Sequence, residues 1–321
     1  MVQKAYFILS ISILFLCTHR ASAGVHTATV TNLVGEVHLL KSPTPQATGD
    51  GIHVLFNGSY YLYYLAELGS KVELDEVVQT TAGAKARLLF DNGDQMNVGE
   101  LTSFKLEIPK KNKTSNPQLD LLFGRIRSVI SKEGPRNRLS IKNKTVVMGV
   151  RGTDFLVQDY GIGGNGTELQ VFRGKVEFKN TDKPNDVKLV AKGDAAFSST
   201  TEKKSEVQVR PITKDDLFET QKNLFVPSNN KGPDVPKEVV ELEKKSVDTT
   251  LQDMKSESPE AFKKLSGSDI STSQIINAEV LASLFDQAKR RDSNDTSVIT
   301  KPSREEVEKQ IDDVYQNKLK R

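Results

Sequence analysis

Three of the four histidines, His26, His38 and His53, are the residues of this chain most suited to hold a divalent metal, because neutral imidazole is a common ligand. Spread over separate strands, any two could meet. Isolated strand histidines more often serve packing or surface roles, so no metal site is expected. Asp91, Asp94 and Glu100 are the nearest thing to a pair of acids for proton transfer. Two of them sit in the turn Asp91-Asn92-Gly93-Asp94, where Asp is ordinary. No HExxH, GxSxG or GxxxxGK[ST] pattern occurs, so the spacings that zincins, hydrolases and phosphate loops require are missing. Gly161–Gly166, GIGGNG, superficially suggests a phosphate-binding loop. It lacks a following helix, so it reads as a hairpin turn. No enzyme and no cofactor are expected.

The elements that would position these residues begin after a leader. Lys4 supplies a charge, Ala5–Cys17 an apolar run, and Ala21-Ser22-Ala23 a small-residue cleavage site before Gly24, the pattern of a secretory signal. The run is short for a membrane span, and Thr18-His19-Arg20 closes it. Cleavage between Ala23 and Gly24 would remove Cys17, the only cysteine, and leave an exported protein without disulfides. It would also remove two of the 45 basic residues and none of the 42 acidic ones, for a net charge of +1. Bulk electrostatics therefore give no support to nucleic-acid binding. The expected address is the periplasm, with the medium or the outer surface as alternatives.

From Val25 to about Ala196 the chain reads as short strands between Gly, Asn and Asp turns. Ala84, Ala86, Leu88 and Phe90 alternate with Lys85, Arg87 and Leu89, and Asn92-Gly93 turns the chain toward Met96 and Val98. Phe104, Leu106 and Ile108 alternate with Lys105 and Glu107. Tyr60-Tyr61-Leu62-Tyr63-Tyr64 reads as core or interface packing. Gln118–Ile130 reads as a strand pair broken by Gly124. An internal echo links Gln118–Arg127, QLDLLFGRIR, with Glu168–Glu177, ELQVFRGKVE, and more weakly with Leu33–Val37. A glycine in each copy would let a strand turn a corner without a Cβ clash. Such units predict a β-solenoid, with a β-sandwich as the alternative.

Val146–Val157, VVMGVRGTDFLV, reads as a buried strand bent at Gly149 and Gly152. Arg151 could be an exposed contact or a buried partner for Asp154; an Arg held between glycines favours a role in securing the fold.

After Ser198 the composition changes. Residues 199–237 read as a linker with room for a short helix, and residues 238–321 as a charged, helical, partly disordered tail. Val240, Val247, Leu251 and Met254 form a thin stripe, Ile276, Val280, Leu284 and Ala288 a second, and Val307, Ile311, Tyr315 and Leu319 a third after a Ser303/Glu306 capping box. Such an arm could fold against a partner or a second copy.

Gly149-Val150-Arg151-Gly152-Thr153-Asp154-Phe155 resembles the VRGT-D/E-F segment of the FecR family of bacterial exported domains. Support comes in order from Gly35-Glu36-Val37, Leu68-Gly69, Val77–Thr80, Ala84–Leu88, Asp91-Asn92-Gly93, Gly124-Arg125-Ile126, Gly174-Lys175-Val176 and Ala191-Lys192-Gly193. The resemblance implies an all-β periplasmic module at residues 24–198 whose motif serves structure or interaction. It implies a non-enzymatic function, binding a protein or another cell-envelope component, with sensing in a cell-surface signalling pathway as the alternative. Direct control of a sigma factor is not expected, because no cytoplasmic segment precedes the hydrophobic run. Self-association through the C-terminal helices is a further expectation. The bacterial setting leaves the Asn-X-Ser/Thr sites at Asn57, Asn112, Asn143, Asn165 and Asn294 without consequence.

Overall fold

The computed structural model describes residues 27–107, 118–131, 139–161, 166–183, 185–199, 207–226, 234–257 and 259. The leader, its Ala23–Gly24 cleavage site, His26 and the two later tail stripes lie outside them. No helix among the described residues is long and apolar enough to cross a membrane.

Sixteen strands and two helices make up these residues. β1 (Ala28–Val34), β5 (Lys71–Val72), β7 (Lys85–Phe90) and β8 (Gln95–Val98) begin a front sheet. It continues through the second halves of β10 (Gln118–Val129) and β12 (Val146–Asp159) and the first half of β13 (Gly166–Asn180). It ends in β15 (Asp194–Ser199) and β16 (Gln208–Pro211). The rear sheet runs β3 (His53–Phe56), β4 (Ser59–Leu65), β2 (Val37–Thr44), β6 (Val77–Thr80) and β9 (Thr102–Glu107). It then takes in the first half of β10, β11 (Leu139–Lys142), the first half of β12, the second half of β13, and β14 (Val187–Ala191).

One apolar core lies between the two sheets. From the front come Val30, Leu88, Met96, Ile126, Phe155 and Val171; from the rear, Leu39, Val78, Phe104, Leu121, Met148 and Phe178. The two-residue alternation of these strands puts one set of side chains into this layer. Pairing is antiparallel throughout except between β10 and β11. The solenoid expectation would require parallel stacked coils, so the architecture is the sandwich alternative.

The corner glycines explain why one chain serves both sheets. β10 is one continuous strand, not a pair, and it crosses from rear to front at Gly124. There φ is +96°, and a Cβ would come within 2.4 Å of Thr102. β12 and β13 cross at Gly152 and Gly174, also at positive φ, a region costly for other residues. At the β7–β8 turn Gly93 alone takes positive φ, and Asn92 does not.

The stretch read as linker contributes β16 to the front sheet and then α1 (Lys214–Leu224). Thr213 and Asp216 form a reciprocal cap. The Asp216 amide donates to Thr213 Oγ1 at 3.2 Å, and the Thr213 amide to Asp216 Oδ2 at 2.7 Å. Ile212, Leu217 and Leu224 cover Leu156, Phe172 and Ala195 on the outer face of the front sheet. α2 (Lys237–Glu257) covers the polar remainder of that face. Its buried stripe is Val239, Leu242, Ser246, Thr250 and Met254, while Val240 is exposed. Of the expected stripe of Val240, Val247, Leu251 and Met254, Met254 is buried and Val247 and Leu251 are half-buried, while Val240 falls outside, because the sheet beneath is polar and the helix face that meets it is mixed.

Candidate binding surfaces

The motif Gly149–Phe155 straddles the corner of β12. Val150 and Phe155 enter the core, and Gly149 and Arg151 face solvent. Arg151 stands opposite Lys175 on β13, and the side chain that secures Asp154 is Arg127. The register shift after Arg151 carries Asp154 to the outer face of the front sheet, where Arg127 of β10 also points. Arg127 donates to both carboxylate oxygens, at 2.9 and 2.6 Å, and its guanidinium lies 4.6 Å from the centre of the Phe172 ring. Both partners are buried. This fork-to-fork geometry is the strong form of the ion pair.

Arg127 is the middle of three buried arginines on that face. Arg87 of β7 donates to Asn97 Oδ1 at 3.1 Å and to the Val226 carbonyl at 3.2 Å. Burial pushes its guanidinium pKa down, opposed by the charge of Glu243. Glu243 of α2 lies 3.6 Å from Arg87, and Asp253 lies 3.6 Å from Arg173. Thr31 also donates to Glu243, at 2.8 Å. Sequence reasoning missed this row. Arg87 and Arg127 occupy the outward positions of alternating strands, which a sequence reads as solvent-facing.

A cleft of about 340 Å³ opens beside α1, lined by Arg125, Tyr160, Glu168, Gln170, Asp216 and Thr220 among others. Two of its carboxylates, Glu168 and Asp216, are held by Arg210. Arg210 pairs with Asp216 at 2.5 Å and with Glu168 at 2.9 Å, and the Tyr160 hydroxyl donates to Glu168 at 2.8 Å. Burial, with the adjacent Glu168 charge, pushes the Tyr160 hydroxyl well up. For Asp216 burial acts upward, but hydrogen bonds from Arg210 and Thr213 outweigh it and hold the carboxyl low.

Of the acids and histidines considered for chemistry, Asp94, Glu100, His38 and His53 are held in local hydrogen bonds. Asp94 accepts the Ser131 amide and the Asn92 side chain; Glu100 accepts the Gly83 amide. His38 contacts Glu36, and His53 meets the Thr48 and Gly51 carbonyls. Among the described residues no three His, Cys, Asp or Glu side chains gather in a way that could hold a metal. Asn143 is buried, with its amide bonded to Asp159 and Thr167.

The β3–β4 hairpin exposes apolar side chains. Beyond β2 the rear sheet outruns the front one. Tyr64 lies opposite Leu39, a core residue, and Leu55 lies opposite Tyr60. Tyr60, Leu62 and Tyr64 therefore continue the core face past the point where the front sheet covers it. Leu55 is 60% and Tyr64 47% exposed. On the opposite side of the hairpin Tyr61 is buried, packs with Leu40 and Val77 and meets Phe56 edge-on. Burial pushes the Tyr61 hydroxyl pKa up. β3 ends the sheet, and its outer edge has no partner strand among the described residues.

The site and fold together define an antiparallel sandwich that offers surfaces for contact and holds the Arg127–Asp154 and Arg210–Asp216 charges in structural pairs. Residues 76–177 match the family model described as FecR protein. The match runs from β6 into β13 and includes the motif Gly149–Phe155. The supporting segments at Gly35–Val37, Leu68-Gly69 and Ala191–Gly193 fall outside it. Similar solved structures include two crystal structures of a "putative anti-sigma factor" from Parabacteroides distasonis, 13% and 12% identical, with TM-scores of 0.35 and 0.37. The alignments cover 42% and 45% of this chain and 59% and 63% of theirs, less than two thirds of either. No curated protein matches the sequence.

Proposed function

We propose that this protein is a non-enzymatic regulator associated with cell-envelope signalling, acting by binding another protein through the FecR-bearing sandwich. The overhanging hairpin carries this reading. Leu55, Tyr60, Leu62 and Tyr64 extend an apolar sheet face beyond its cover and end in a strand edge with no partner strand among the described residues. Such an edge favours strand addition by a partner, with the apolar strip supplying contact area. The FecR domain supports the signalling context.

A photo-crosslinking residue at Leu55 or Tyr64 in the native host tests it, with Lys188 on the far strand as the control. One discrete crosslinked protein at both hairpin positions and none at Lys188 is the expected result. No adduct, or the same adducts at all three, would overturn the reading. Export is part of the proposal and rests on residues 1–23. The intact mass of the fractionated protein should start at Gly24, and retention of Met1 would count against it.

A further inference from the structure

α2 occupies its place on the front sheet through an unusual contact. Two of the buried groups that it faces, Arg87 and Arg173, are cations. The helix answers them with carboxylates ten residues apart, Glu243 and Asp253. At about 1.5 Å per residue these lie about 15 Å apart along the helix axis. β7 and β13 are separated by β8, β10 and β12, about 19 Å at ordinary strand spacing, so long side chains bridge both ends.

The fit is incomplete. Arg87 Nη1 stands 3.6 Å from Glu243 and makes no hydrogen bond. Beside the helix path, neither amide atom of Gln95 has a hydrogen-bond partner, and within the helix Ser246 Oγ has none. Buried polar atoms left this way weaken an interface. The apolar contribution of α2 is small, chiefly Val239, Leu242 and Met254.

We propose that this face of the front sheet is a binding groove for an acidic amphipathic helix of a partner protein, and that α2 is its built-in, displaceable occupant. The partner helix carries two carboxylates about three turns apart on a face of small and unbranched side chains, and a donor or acceptor for the Gln95 amide. It competes with α2 for the row Arg87–Arg173, so the groove is masked until such a helix outbinds the resident one. The inference is independent of the hairpin, which belongs to the rear sheet.

The test uses the full chain and a fluorescently labelled peptide of residues 237–257 as the probe. In Glu243→Lys/Asp253→Lys the resident helix is repelled from the arginines, and the groove opens. The probe should bind this variant at least tenfold more tightly than wild type, because competition by the resident helix lowers apparent affinity. A probe carrying the same two lysines should not bind. A second opened chain, Ser246→Trp, displaces α2 by bulk without changing charge and should also gain binding. Equal affinity for wild type and both opened chains would overturn the proposal. So would absence of binding to an opened chain whose front-sheet amides stay protected from hydrogen exchange.

Discussion

At the residue scale, Asp154 and Arg127 show how a polar pair can be costly to break and still weak evidence of stability. Each desolvates the other's charge, and the bidentate bond returns that cost only while both are present. Asp154→Ala leaves Arg127 buried beside Phe172 without its anion, and should lower the unfolding free energy by about 3–5 kcal/mol in urea titration. Arg127→Met/Asp154→Leu removes both charges and should recover most of that loss. Asp120 offers a smaller, pH-dependent case. Burial raises its carboxyl pKa above the ordinary 3.8, against the pull of Lys142 and Lys105. The folded chain therefore keeps this proton after the unfolded chain has lost it. The contribution is complete below 3.8 and is lost as pH rises through the raised value. Asp120→Asn should lack that decline, so the stability difference between variant and wild type should shift toward the variant as pH climbs from the acid side.

At the scale of elements, the corners matter more than the strands. Gly124→Ala would place a methyl on Thr102 at a backbone angle that other residues avoid. A loss of about 3 kcal/mol or more is expected by denaturant titration. α1 depends on its cap, where Asp216 serves Thr213 and Arg210 together. Asp216→Ala should cost about 1 kcal/mol near neutral pH. Because the folded carboxyl is held low, that contribution is present above the ordinary value and disappears as pH falls through the depressed one. The Ala variant should therefore converge on wild type in acid. These elements were unevenly legible. Alternation in Lys85–Phe90 and the glycine echoes revealed strands and corners, because core contact and positive φ restrict residue type locally. The sandwich was harder to see, since antiparallel and stacked arrangements share the same alternation and differ only in distant pairing. The arginine row was invisible for a related reason: Arg87 is outward on its strand, and segments over a hundred residues later, Val226 and α2, make outward mean buried.

At the scale of the molecule, the two faces that could meet partners carry opposite energetics. The front sheet's outer face is apolar under α1 and polar under α2, and the chain's own helices cover it. The hairpin is apolar and left uncovered because the rear sheet has more strands there than the front sheet can shield. Uncovered apolar side chains contribute little to folding, since they give up little contact with water. Leu55→Asp/Tyr64→Asp should therefore change unfolding free energy by no more than about 0.5 kcal/mol, while removing the crosslinks expected from this hairpin. A core exchange such as Phe155→Ala should do the reverse in kind, costing about 3–5 kcal/mol and reducing partner capture only in proportion to the unfolded fraction. Measuring stability and capture on the same two variants separates a surface kept for contact from one that only completes the fold. If the hairpin variant loses stability as the core variant does, the overhang belongs to the core, and the contact surface must be sought elsewhere on the molecule.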